Sequence, residues 1–208
     1  MVSYELCPFI DRSSMASPDD RELRTQIHGP WQIVRRNEIY QDAWVQIRMD
    51  DVLRPDGKPG TYSTVRIKPG VCVIPVAADG TCYLTKEFHY AVGRDTIEGI
   101  SGGIEVGESA EIAATRELQE EVGIVAQQLH PLGVVDPLTA ALCSPTAIFL
   151  ATDLSFTETN MEGTERIERV AMPFEVAVRM VIRSEITHGP SCVAILKANL
   201  ILSNLLSP

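Results

Sequence analysis

Residues 102–124, reading GGIEVGESAEIAATRELQEEVGI, constrain this chain more than any other stretch. A glycine loop feeds a short helix. Ala110, Ala113, Ala114, Leu118 and Val122 give that helix an apolar stripe close to the 3.6-residue period. Gly123 stands where a left-handed C-terminal cap belongs. Glu117, Glu120 and Glu121 are spaced i, i+3 and i+4, which puts three carboxylates on one helical face. Carboxylates this close repel and raise one another's pKa. Run alone, RELQEE reads as a solvated helix face. A hard divalent cation gives the cluster another reading, since Mg²⁺ takes oxygen ligands from a few carboxylates together with substrate phosphate.

The remainder of the chain is that of an ordinary soluble globule. Its 208 residues suffice for a sizeable core, and 45% apolar with 22% charged residues is typical composition. The net charge of −10 argues against a nucleic-acid partner, since the protein surface that binds one would be basic. It leaves an anionic small molecule open, because a bound cation reverses the local sign. Cys7, Cys72, Cys82, Cys143 and Cys192 are odd in number and form no C-x-x-C pair. Reduced thiols in a cytoplasmic protein are therefore expected. No basic-then-apolar leader opens the sequence, and the apolar run at 192–206 is interrupted by Lys197, Asn199 and Asn204, so no membrane partner is expected.

Residues 1–30 read as an N-terminal arm, 31–70 as a strand region and 71–208 as the main domain. Strands are predicted at 31–36, 43–53 and 61–67, the last two joined by the Pro55-Asp56-Gly57 turn. The apolar run 71–77 predicts a central strand buried on both faces. Asp79-Gly80 predicts a hairpin to a partner at 81–88. Further strands are expected at 132–136, 147–151 and 164–172. Pro173 and Pro190 each open a late helix.

The helix stretch resembles the Nudix box, G-x5-E-x7-R-E-U-x-E-E-x-G-U with U aliphatic, at Gly102, Glu108, Arg116, Glu117, Leu118, Glu120, Glu121, Gly123 and Ile124. At average residue frequencies the seven fully specified residues coincide by chance on the order of 10⁻⁹ per start point. The resemblance implies an α/β fold, the Nudix α/β/α sandwich with a mixed sheet. It also implies hydrolysis of a nucleoside diphosphate linked to another moiety, with Mg²⁺ or Mn²⁺. The layout is similar to the ADP-ribose pyrophosphatase-like branch, in which an N-terminal antiparallel sheet region precedes the Nudix domain and serves a homodimer. Its cues outside the box are an early tryptophan, the Pro-Asp-Gly turn, the apolar strand ending in Pro75, and Glu98 four residues before Gly102.

By motif position the resemblance makes Glu117 and Glu121 metal ligands and Glu120 a third, with Glu120 also a catalytic candidate. The backbone carbonyl of Ser101 joins them. Gly102 allows close approach of backbone to phosphate. Arg116 orients glutamates, and Glu108 is an orienting partner near the helix start. The general base is expected in MEGTERIERV, where the family pattern favours Glu165, with Glu168 second. Glu98 is a substrate contact or a support for one.

Two departures bear on substrate. Phe88-His89 stands where the branch commonly has Phe-Arg, so His89 is either a structural histidine or a ligand contact in place of that arginine. Thr139 and Cys143-Ser144 stand where ADP-ribose-specific members carry a proline and an acidic pair. Trp31 and Trp44 are either core residues or stacking platforms for a nucleobase. ADP-ribose or a related nucleotide sugar is the leading substrate. The rivals are a dinucleoside polyphosphate or CoA-type substrate, and a Nudix-fold ligand sensor without catalysis.

Overall fold

The computed structural model describes residues 25–159 and 167–203. The described chain falls into two units. One comprises the residues up to Lys68 together with Leu138–Ser144; the other comprises Pro69–Pro137 and the residues from Pro145 on.

The first unit is one twisted sheet. Its strands are β1 (Gln26–His28), β2 (Trp31–Arg35), β3 (Glu38–Gln41), β4 (Val45–Leu53) and β5 (Pro59–Ile67), followed much later in the chain by β11 (Leu142–Cys143). The order is β1-β2-β4-β5-β11, with β3 also on β4. Neighbours are antiparallel except β11, which runs parallel to β5. The β4–β5 turn closes at Gly57, whose φ of 77° suits glycine, and the Gly57 N–H donates to the Arg54 carbonyl at 2.8 Å.

In chain order the second unit holds β6 (Gly70–Pro75), β7 (Thr81–His89), β8 (Arg94–Glu98), β9 (Ile100–Gly103), helix α1 (Ala110–Val122), β10 (Ile124–Val135), β12 (Thr146–Phe156), β13 (Glu168–Pro173), α2 (Phe174–Ile182) and α3 (Gly189–Leu202). A four-stranded mixed sheet runs β10-β12-β6-β9, and a three-stranded antiparallel sheet runs β13-β7-β8. Along β6 and β12 alternate side chains point to opposite faces. Cys72, Ile74, Ile148 and Leu150 share a buried cluster with Ala194, Ile195 and Ala198 of α3. Helix α1 packs on β6, β9 and β10. The result is the α/β/α sandwich expected, with β6 buried on both faces.

Three local expectations need correction. The Asp79-Gly80 turn forms, with the Ala77 N–H on the Thr81 carbonyl at 2.8 Å, but only the bridge Val76↔Cys82 follows it. Both edges of β6 are taken by β12 and β9, so β7 leaves for the other sheet and pairs with β8 and β13. The strand expected at 132–136 is the end of β10, a twelve-residue strand whose alternation is broken by a bulge between Pro131 and Gly133. Within the stretch expected as a strand at 164–172, β13 starts at Glu168, and 164–166 lie outside the described residues.

Candidate active site

Both ends of α1 are closed by short-range chemistry. The Ser109 hydroxyl accepts from the Ile112 N–H at 3.3 Å as N-cap. Gly123 is left-handed at φ 62°, and its N–H reaches the carbonyls of Gln119 and Leu118. A Cβ on Gly123 would also meet the Thr157 carbonyl oxygen at 2.4 Å, so the backbone just past β12 and the cap both require glycine there.

Arg116 gathers the acidic groups. Its Nε and Nη2 donate to the two oxygens of Glu108 at 3.0 and 3.1 Å, a forked pair. Nη1 donates to Glu117 at 2.7 Å and to Glu120 at 3.0 Å, and Nη2 also reaches the Gly103 carbonyl at 2.9 Å. The hydrogen bond to Glu108 is the chief cause holding the guanidinium firmly protonated, against burial and with help from Glu117 and Glu120. Glu108 in turn accepts the Glu105 N–H at 2.9 Å, which fixes the loop entering the helix.

Glu117 and Glu121 are buried carboxylates on the inner face of α1, while Glu120 is half-buried. The Glu117 carboxylate rests against Gly102: a Cβ there would lie 1.9 Å from Oε1 and 2.0 Å from Cδ. The glycine thus leaves a seat that the carboxylate fills. Ser101, paired with Cys72 across β9 and β6, turns its hydroxyl to the Gly99 carbonyl at 2.8 Å.

The donor set is oxygen only, which suits a hard cation. Among the described residues no three His, Cys, Asp or Glu side chains already form a cage for a metal ion. Mg²⁺ is bound in the same incomplete manner elsewhere, by one or two carboxylates completed by water and substrate phosphate. The residues present fit such an ion.

Glu98, at the end of β8, is held from three sides. The Thr96 hydroxyl donates to Oε1 at 2.6 Å, His89 Nε2 lies 3.1 Å from Oε1, and His188 Nδ1 lies 3.1 Å from Oε2. His89 therefore meets Glu98 and not a neighbouring backbone group. His188 and Ser191, at the start of α3, escaped the sequence reading. They lie about ninety residues downstream and carry no local motif.

The other expected residues are dispersed. Glu168 begins β13, is exposed, and pairs with Lys86 at 3.8 Å. Glu165 lies outside the described residues. Trp31 and Trp44 are not brought together. Trp31 stands edge-on to Tyr62, with ring centroids 5.1 Å apart, on the wall of a cavity of about 660 Å³ in the first unit. Arg36, Arg48 and Arg66 also line it, as do residues 139–143. Trp44 lines no part of it and is 61% exposed, with Lys68 Nζ 5.1 Å from its ring centre.

The second unit is thus an α/β/α sandwich in which one arginine ties together the carboxylates of a helix packed on a glycine strand. The model of the NUDIX domain matches residues 66–185, and that of the nucleoside diphosphate sugar hydrolase N-terminal domain matches residues 31–65. The chain belongs to the Nudix family and is a pyrophosphohydrolase of that family, in which metal dependence is typical. It is similar to an ADP-ribose pyrophosphatase of Bacillus subtilis (strain 168), 28% identical over 78% of this chain and 89% of the relative. It is also similar to an ADP-sugar pyrophosphatase of Mus musculus, 31% identical over 57% of this chain and 61% of that protein. A crystal structure of an ADP compounds hydrolase shares the fold, with a TM-score of 0.74 at 20% identity over 89% of this chain and 98% of that one.

Proposed function

We propose that this enzyme hydrolyses ADP-ribose or a related nucleotide sugar to a nucleoside monophosphate and a sugar phosphate, using Mg²⁺ or Mn²⁺. The observation that carries the reading is the Glu117 carboxylate seated against Gly102 beside Glu121, with Arg116 tying Glu117, Glu120 and Glu108 together. The matched N-terminal domain and the names of the relatives favour a nucleotide sugar over a dinucleoside polyphosphate.

Glu117, Glu120, Glu121 and the Ser101 carbonyl are the groups that would hold the cation, which supplies charge neutralisation at the diphosphate when bound. In the hydrolysis itself a water oxygen bonds to one phosphorus, its proton passes to a glutamate, and the anhydride P–O bond breaks with its electrons on the leaving phosphate. Glu165 is the preferred proton acceptor and Glu168 the second.

The cavity beside Trp31 is suited to the nucleoside end, offering an aromatic wall with arginines near it. Trp31 is the better candidate than Trp44 on this ground. A homodimer in the cytoplasm completes the reading; none of the four described cysteines is in a disulfide, and no described helix is long and apolar enough to cross a membrane.

The test is a panel of nucleotide sugars, dinucleoside polyphosphates and CoA with Mg²⁺, read by product identity. Cleavage of ADP-ribose to two monophosphates, lost with chelator, is expected. Preferential cleavage of a dinucleoside polyphosphate overturns the substrate assignment. Glu121→Gln should lower kcat by about 10² or more. Trp31→Ala should raise KM about tenfold with kcat little changed, a larger effect than Trp44→Ala.

A further inference from the structure

Between β8 and β9 a single residue, Gly99, hands the chain from the three-stranded sheet to the four-stranded one. There is no room for a side chain at this pivot. A Cβ would meet Ile74 Cδ1 at 2.6 Å, Cys72 Sγ at 2.8 Å and the Val73 carbonyl at 3.0 Å. Gly99 belongs to neither ladder, so its N–H needs a partner from elsewhere. Ser191 of α3 supplies it: a fully buried hydroxyl whose oxygen accepts the Gly99 N–H at 2.8 Å.

The residue before the pivot is gripped from the same helix end. The Glu98 side chain is only 13% exposed, and His188 Nδ1 sits 3.1 Å from its Oε2 and 2.8 Å from Ser191 Oγ. An ionised carboxylate accepts hydrogen bonds and cannot donate them. Nδ1 of His188 therefore carries the proton, shared between Glu98 and Ser191, and the Ser191 hydroxyl hydrogen is left for Cys72 Sγ at 3.5 Å. Burial, the largest influence on His188, lowers its pKa below the ordinary value; Glu98 opposes this and His89 adds to it. Two and three residues beyond the pivot lie Ser101 and Gly102, the latter forming the seat of the Glu117 carboxylate.

We propose that His188 is a positioning residue for hydrolysis: as an Nδ1–H donor it locks Glu98 and, with Ser191, the Gly99 pivot, and so sets the strand on which Ser101 and Gly102 ride. The idea rests on the Nudix reading of the α1 site and deepens it. Its non-local origin also explains why α3, which carries none of the family glutamates, begins with this pair of polar residues.

The test uses the full chain and three variants, His188→Ala, His188→Asn and Ser191→Ala. Asparagine keeps an N–H donor near the Nδ1 position and does not titrate. Kinetics are run on whichever diphosphate the substrate panel identifies. Exchange of the Gly99 amide is followed by NMR without substrate, so the clamp is judged even if the substrate assignment fails. For His188→Ala the expected result is kcat down about tenfold, KM within twofold, and Gly99 exchange faster by about tenfold. His188→Asn should recover most of the rate and the slow exchange. Ser191→Ala should repeat the alanine result and stands in if His188→Ala fails to fold. The proposal is overturned by unchanged kcat with fast Gly99 exchange, by unchanged Gly99 exchange in both alanine variants, or by an asparagine variant as impaired as the alanine one. A rise in KM with kcat intact also overturns it, by placing His188 on the substrate.

Discussion

Gly102→Ala separates the catalytic role of the box glycine from any role in folding. Gly102 is not among the positive-φ residues, so alanine is compatible with the backbone. The strain is all side chain. With the new Cβ 1.9 Å from Glu117 Oε1 and an ordinary carbon–oxygen contact at about 3.3 Å, the carboxylate must retreat by about 1.4 Å. Glu117 is long and flexible, and it can make that move by changing rotamer. The cost to stability is then one charge-assisted hydrogen bond to Arg116, now 2.7 Å long, or about 1.5–3 kcal/mol at most. At this chain length that is a fall in Tm of roughly 3–12 °C. The cost to catalysis is larger, because metal–oxygen distances tolerate only about 0.2 Å and a 1 Å misplacement costs about 10² in rate. The expected outcome is a folded variant with kcat down at least 10² and weaker Mg²⁺ binding by titration calorimetry. Turnover within about threefold of the parent enzyme would falsify the claim that Gly102 seats a working Glu117.

Two further predictions follow from the same geometry. Gly123→Ala meets both a left-handed backbone and the Thr157 carbonyl at 2.4 Å, so urea unfolding should show a loss above the ~1 kcal/mol usual for a left-handed position; a loss under 0.5 kcal/mol, by the same reasoning, would mean the α1 C-terminus relaxes freely. The folded pKa of His188 lies below its ordinary value of about 6.5, mainly through burial. The unfolded chain then takes up the proton first, so this contribution to stability is fully present above pH about 6.5 and is lost as pH falls through the lowered folded pKa. The groups facing the ring are Glu98 on β8 and His89 on β7. Thermal melts across pH 5–8 should show a shallower acid fall in His188→Asn than in the parent, and identical slopes would refute the assignment.

The parts of the site legible in sequence are those built by short-range geometry. Glu117, Glu120 and Glu121 share a face because a helix repeats every 3.6 residues. Gly123 caps α1 because a left-handed residue with little steric cost is needed one step past the last turn. Arg116 reaches Glu120 from one turn away. The central strand β6 was visible as an apolar run with no alternation.

Partner choice over long separations was decided only by tertiary structure. The Asp79-Gly80 turn announces a hairpin, yet a strand has two edges, and those of β6 were filled by β9 and β12 from far along the chain. Trp31 and Trp44 look alike in sequence, but only Trp31 lines the cavity, where Tyr62 meets it edge-on. Gly99 gives no sign of its own that its N–H will lack a strand partner. The need for Ser191 and His188 arises only when two sheets meet at that residue and the start of α3 is packed over it. Local sterics act within a few residues and can be read from them. A buried polar group must be satisfied by whatever the finished packing brings alongside, and that neighbour has no fixed distance in sequence.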